Sequence, residues 1–367
     1  MNIETVGLRS LGRHPAGTAA GSALCSVPVI RRATIKDVAR AAGTSTVTVS
    51  RVVNSPELVQ PETRARVERA MRELGYVPNL AARSMRTRLT RSVGFLTPEL
   101  TSLTNAAVAQ ACEQALSEAG YGMLLTSSDY RVERERRALG LLRQRQVDGL
   151  VLYLSDEEDA GLVAAVSALD VPFVVLDREA PRGDRVLSEH RGALQAAVRR
   201  LLAMGHRRFA LLQPDLAIRP VRERRAAVET TLAEAGLGAR ALVRLAVPPA
   251  ALDRALVPAA LLTGTDRPTA FLVEGSRLLR AALLALRAAG LEVPKDVSLV
   301  AIDADEAASL TSPETTRIAR DFGAIGRTAA ALLLRRLERP CLPRQEVVLE
   351  SRLVLGGSCA PPRGRPT

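Results

Sequence analysis

Residues 34–54 read Thr-Ile-Lys-Asp-Val-Ala-Arg-Ala-Ala-Gly-Thr-Ser-Thr-Val-Thr-Val-Ser-Arg-Val-Val-Asn. Thr34 and Asp37 stand in the Thr-x-x-Asp spacing of a capping box, which starts a helix. Ala39 is small enough for two helices to meet closely, and Gly43, four residues on, supplies the backbone freedom of a tight turn. Ser45 is placed to cap a second helix, and Val49 to lock that helix onto the first. A small residue, a glycine and a branched apolar residue in this spacing form a helix-turn-helix, whose second helix can lie in a DNA major groove.

Outward from this motif, Pro61 suits the first turn of a third helix over 62–74, which Gly75 ends. Val67, Ala70, Met71 and Leu74 give that helix one apolar face. Pro78 breaks the chain, Asn79 can cap a short helix over 80–86, and 87–92 is a basic linker. Residues 31–91 carry 13 Lys and Arg against 5 Asp and Glu, a net of +8 out of +12 for the whole chain. A basic segment on a near-neutral remainder fits a phosphate-binding module.

From Val93 the pattern changes to short apolar runs alternating with amphipathic stretches. Strands are expected over 93–97, 122–126, 149–154, 173–176, 209–212, 270–273 and 298–302. Helices are expected over 106–119, 134–144, 157–169, 191–204, 222–235, 276–289 and 323–337. Alternation of this kind predicts a parallel sheet with helices on both faces. Its length exceeds one usual domain, so two lobes with a cleft between them are expected, with ligands bound beyond the carboxyl ends of the strands.

The 367 residues include 47% hydrophobic ones, ample for such cores. Cys25, Cys112, Cys341 and Cys359 are scattered with no Cys-x-x-Cys pair, which disfavours disulfide and zinc frameworks and suits a cytoplasmic protein. No apolar run is long enough to span a membrane, and residues 1–30 lack the apolar core of a signal peptide. The segment 1–32 reads as a disordered arm or as sequence ahead of the true start. His14, His190 and His206 lie far apart, and there is no Ser-His-Asp arrangement, phosphate loop or metal-spaced cluster to suggest an enzyme or a cofactor.

The chain resembles the lactose/galactose-repressor family of bacterial transcription regulators. The resemblance rests on Thr34-Ile-Lys-Asp-Val-Ala, Thr48-Val-Ser-Arg-Val-Val-Asn, Leu74-Gly-Tyr-Val-Pro-Asn and Ala81-Ala-Arg-Ser-Met-Arg. Weaker matches follow at Gln146-Val-Asp-Gly-Leu, Met204-Gly-His-Arg-Arg and Val293-Pro-Lys-Asp-Val-Ser-Leu-Val. It implies a helix-turn-helix headpiece at 33–78, a hinge helix and linker at 79–91, and a two-lobed core like periplasmic sugar-binding proteins at 92–356. A disordered tail is expected over 357–367. It further implies a homodimer on double-stranded operator DNA, modulated by a small-molecule effector and acting as a repressor.

Thr46, Val47 and Arg51 fall at the start and next turn of the second helix. Arg51 has the fork that bonds a guanine edge, and Thr46 and Val47 offer methyl groups to thymine. Thr34, Ser45, Thr48, Ser50 and Asn54 suit phosphate or positioning contacts, although Thr48 and Ser50 can instead bond back within their helix. In the family's hinge helix a leucine wedges into the minor groove; here Met85 takes that place, with Ala82 allowing close approach and Arg83 and Arg86 meeting phosphates.

The effector side departs from the family. An Asn-Pro-Phe-Phe-like segment is replaced by Ser102-Leu-Thr-Asn105, an Asn-Asp pair by Glu274-Gly275, and Gly-Phe-Asp-Asp by Ala301-Ile-Asp-Ala304. Asp177, Arg224, Glu274 and Asp303 remain as candidates to face an effector in the cleft. With no Trp and nine Phe and Tyr in all, sugar-stacking rings are expected to be scarce. A regulator whose core serves only to dimerise is therefore the alternative reading; a transport binding protein is a weaker one.

Overall fold

The computed structural model describes residues 33–77 and 89–363, and the chain divides into two compact units near residue 80. In the first unit, helix α1 (Ile35–Ala41) carries both arms of the Thr34–Asp37 capping box. Gly43 turns the chain at φ +59°, and α2 (Thr46–Asn54) starts at Ser45, whose Oγ accepts from the Thr48 N–H at 3.1 Å. Helix α3 (Pro61–Glu73) begins at its proline, as the sequence led us to expect. Val38, Ala39, Val49, Val52, Val67 and Ala70 form one small core, with Met71 against it. Leu74, expected on the same face, is 41% exposed, because it caps α3 rather than continuing it.

The second unit holds two α/β lobes. Lobe 1 runs β1 (Ser92–Thr97), α4 (Leu103–Glu118), β2 (Gly122–Ser127), α5 (Val132–Gln144), β3 (Gly149–Leu152), α6 (Ala160–Ser167), β4 (Phe173–Leu176) and β5 (Asp184–Ser188). Lobe 2 follows with α7 (Gly192–Ala203), β6 (Phe209–Pro214), α8 (Arg219–Glu234), β7 (Leu242–Val247), β8 (Ala270–Glu274), α9 (Ser276–Ala288), β9 (Ser298–Ile302), α10 (Asp305–Ser309) and β10 (Thr316–Arg320). The chain then returns to lobe 1 for α11 (Phe322–Glu338) and β11 (Glu346–Leu349), and ends in lobe 2 with β12 (Ser351–Val354). It thus passes between the lobes three times.

The two sheets have the orders β11-β5-β4-β3-β1-β2 and β12-β10-β9-β8-β6-β7, so the lobes repeat one topology. Every neighbouring pair is parallel except β10 with β12. Helices cover both faces. In lobe 1, Val108, Leu116, Ile325 and Leu333 pack on one face, and Leu139, Leu142 and Leu162 on the other. Gly326 lets α11 lie directly on α4, since a Cβ there would press on the Val108 carbonyl oxygen.

Two boundaries differ from expectation. The linker joins the core before Ser92, because the Asp148 carboxylate accepts from the N–H of Thr90 and of Arg91, both at 2.8 Å. The tail is not loose from Gly357. Ser358 is fully buried and donates to the Leu299 carbonyl at 2.6 Å, His206 lies 3.0 Å from the Ala360 carbonyl, and Arg363 pairs with Asp296 at 2.9 Å. A short run of polar atoms under lobe 2 anchors a segment whose Pro/Gly/Arg composition alone gave no reason to expect order. Among the described residues no helix is long and apolar enough to cross a membrane.

Candidate DNA-reading helix and interlobe cleft

Helix α2 separates its residues into two groups. Val49 and Val52 are buried against α1 and α3. Thr46, Val47 and Arg51 are exposed, Val47 by 60%, and the Arg51 guanidinium has no hydrogen bond or ion pair among the described residues. The apolar exposure of Val47 shows that it is not a packing residue. All five proposed positioning residues, four on α2 or its cap and Thr34 at the cap of α1, are locally engaged. Ser45 and Thr48 hydroxyls lie 3.0 Å apart, and Asn54 Nδ2 donates to the Ser50 carbonyl at 2.7 Å. Thr34 donates through its hydroxyl to Asp37 at 2.7 Å. Ala82, Arg83, Met85 and Arg86 of the hinge lie outside the described residues.

In the core, a cavity of about 280 Å³ opens between the lobes at the carboxyl ends of the strands, where ligands of such sheets bind. Arg224, Glu274 and Asp303 line it, as does Arg320 at the end of β10. Arg224 is the centre. Its Nη1 pairs with Glu274, and its Nη2 donates to Asp303 at 2.5 Å and lies 3.2 Å from His190 Nδ1. Arg320 bonds both oxygens of Asp303 at 2.7 and 2.8 Å and reaches across to Asp177. Asp177 also accepts from the Ser188 N–H at 2.6 Å and lies 3.3 Å from His190 Nε2.

The sequence-named four therefore meet in one network, but Asp177 does not line the cavity. It is buried behind Arg320, and its place is to fix that guanidinium. Asp177 and Asp303 end the equivalent strands β4 and β9, both with left-handed backbone, φ 48° and 53°. That region is uncommon outside glycine but tolerated by aspartate; here it turns both carboxylates toward Arg320.

Burial opposes ionisation of Asp177, yet Arg320, His190 and Arg178 outweigh it and hold its pKa well below the usual carboxylate range. Asp303 is lowered in the same way, burial being overcome by Arg224 and Arg320. His190 goes to about 4, first through burial and then through the Arg224 charge, so it is neutral near pH 7. Three carboxylates thus face two guanidinium groups and a neutral imidazole.

Arg320 and His190 escaped the sequence reading. The first ends a strand not foreseen; the second lies between strand and helix, where proximity to Asp177 leaves no trace in spacing. Rings also proved less scarce at the site than in the chain. Tyr130, Tyr153 and Phe322 all line the cavity, Tyr153 beneath Arg178 and Phe322 beneath Arg320, each guanidinium 4.9 Å from the ring centre. They come from loops and a helix start remote from the segment where the family's aromatics were sought.

A headpiece followed by this core matches known proteins along nearly its whole length. The model of the lacI family of bacterial regulatory proteins matches residues 34–79, and that of a periplasmic binding protein-like domain matches 198–359. The HTH-type transcriptional repressor PurR of Yersinia pestis (strain Pestoides F) is 32% identical over 327 residues, 88% of this chain and 95% of the relative. The chain belongs to the lacI family. Among solved structures, the Lac repressor dimer bound to operator and the anti-inducer ONPF superposes with a TM-score of 0.78 at 27% identity, covering 90% of this chain and 100% of that one. The transcriptional regulator CelR in its cellobiose complex superposes at 0.63 and 28% identity, covering 89% and 100%. The family's regulators are DNA-binding transcription factors with ligand-binding cores, and this chain is a regulator of that kind rather than an enzyme.

Proposed function

We propose that this protein is a cytoplasmic transcriptional repressor that binds a near-palindromic operator as a homodimer and answers to a small molecule in the interlobe cleft. The observation that carries the DNA-reading half is α2. Thr46, Val47 and Arg51 stand free while the capping and packing residues of the same helix are engaged. Arg51 then reads a guanine and the two methyl-bearing side chains meet thymine, with Thr34, Ser45, Thr48, Ser50 and Asn54 setting register against phosphates. Met85 acts as the minor-groove wedge, flanked by Ala82, Arg83 and Arg86. Two recognition helices in a dimer give the operator its two-fold symmetry.

On the ligand side, Arg224, Glu274 and Asp303 form the polar floor of the cavity and Tyr130, Tyr153 and Phe322 its rings. One observation favours a second reading, a core that only dimerises. The terminal nitrogens of Arg224 are already taken by Glu274, Asp303 and His190, so a ligand gains little there without displacing a partner. Sequencing of genomic fragments captured by the purified protein, with and without a metabolite extract, decides between them. Near-palindromic sites gained or lost with metabolites support the ligand-modulated repressor. Sites indifferent to every fraction support the second reading, and no enriched site overturns both.

A further inference from the structure

The ion pairs that join the lobes all have the same polarity. Glu99, at the end of β1, accepts twice from Arg277 Nη2 of α9, at 2.8 and 2.7 Å. Asp177, after β4, pairs with Arg320 of β10. Glu157, between β3 and α6, accepts from Arg222 of α8 at 2.7 Å, and Glu158 and Glu179 approach the same guanidinium at 3.6 Å. In each case the carboxylate belongs to lobe 1 and the arginine to lobe 2. Among the described residues no ion pair of the reverse order crosses the cleft.

These are not loose surface contacts. The side chains of Glu99, Glu157 and Asp177 are 12%, 4% and 1% exposed, so solvent and salt screen them less than an open pair. Neutral bonds run alongside. The Glu157 N–H donates to the Ala217 carbonyl at 3.0 Å, and Arg219 donates to the Ser188 carbonyl at 3.1 Å. Three acidic groups opposite three arginines attract across the cleft, and nothing but the chain itself is needed for that attraction.

We propose that these pairs are ionic latches that hold the lobes closed in the absence of any ligand, so that an effector works by parting the lobes rather than by drawing them together. This rests on the cleft being the ligand site. A ligand that favours closure has little to add where the lobes are already bridged. One that enters beside Glu99 and Arg277, both on the cavity wall, competes with a latch directly. By linkage, the latches and such a ligand oppose each other.

Small-angle X-ray scattering from the full-length protein, free of ligand and DNA, tests this. The proteins to compare are the wild type, the double variant Glu99→Gln/Glu157→Gln, and the charge-exchanged variant Glu99→Arg/Arg277→Glu. The double variant is expected to show a larger radius of gyration than the wild type. The exchanged variant, which rebuilds the pair with its order inverted, should return to the wild-type profile. An unchanged profile in a folded double variant overturns the proposal, as does an expanded exchanged variant whose circular dichroism is native. Genomic capture by the same proteins reads the other conclusion separately. Operator enrichment with invariant scattering removes the latches alone, whereas no enrichment from the wild type removes the repressor reading.

Discussion

The Arg51 guanidinium stands exposed on α2 without a partner among the described residues, whereas Arg224 is buried between Glu274 and Asp303. The same side chain thus serves an intermolecular and an intramolecular purpose. Arg51→Ala should lower discrimination between the operator and a site altered at one guanine by about 1–3 kcal/mol, while binding to unrelated DNA stays salt-sensitive. Fluorescence anisotropy on matched duplexes checks it, and an equal loss on all sequences would refute base reading. At the cleft, His190 carries a pKa lowered to about 4 by burial and by Arg224. Its unfolded value lies near 6.5, so the unfolded chain binds the extra proton first, and stability falls as pH drops from about 6.5 to about 4. The lowered carboxyls of Asp177 and Asp303 add to the loss further down. Glu135 runs the other way. Burial, set against its bonds from Ser155 and the charge of Arg178, lifts it to about 7, so its ionisation burdens the fold above that pH and is relieved toward 4.5. Glu135→Gln should therefore melt higher than the wild type at pH 8, with the gain vanishing near pH 5. Urea melts across that range would expose a constant difference if the reading is wrong.

At the scale of elements, much was legible and the reasons are particular. Phe173–Leu176 and Ser298–Ile302 are continuous apolar runs bounded by polar residues, and both strands occupy the expected positions. β5, β7, β10, β11 and β12 were not foreseen. Asp184-Arg-Val-Leu-Ser and Thr316-Arg-Ile-Ala-Arg mix charge into five residues, the edge strands β7 and β12 are interrupted by Arg244 and Arg352, and β11 alternates exposed and half-buried positions at a sheet edge, so no unbroken apolar run announced them. Missing β10 is what hid Arg320. By contrast, the helix starts were written in single residues. Ser45→Ala removes the acceptor for the Thr48 N–H and should cost about 1 kcal/mol of headpiece stability, read from thermal melts of the whole protein. No change in the headpiece transition would show that the cap is dispensable.

Across the whole molecule, the three passages between lobes fall near residues 189–191, 321 and 350, where β5 leads to α7, β10 to α11 and β11 to β12. Each lobe is consequently assembled from pieces of chain far apart in sequence, and neither is a contiguous segment that could be cloned alone. Severing any one of these crossings leaves two covalent ties in place. A protease that nicks the chain at a single crossing would produce two bands after denaturation yet one particle before it. Only a second and third cut would let one half of the core drift away from the other.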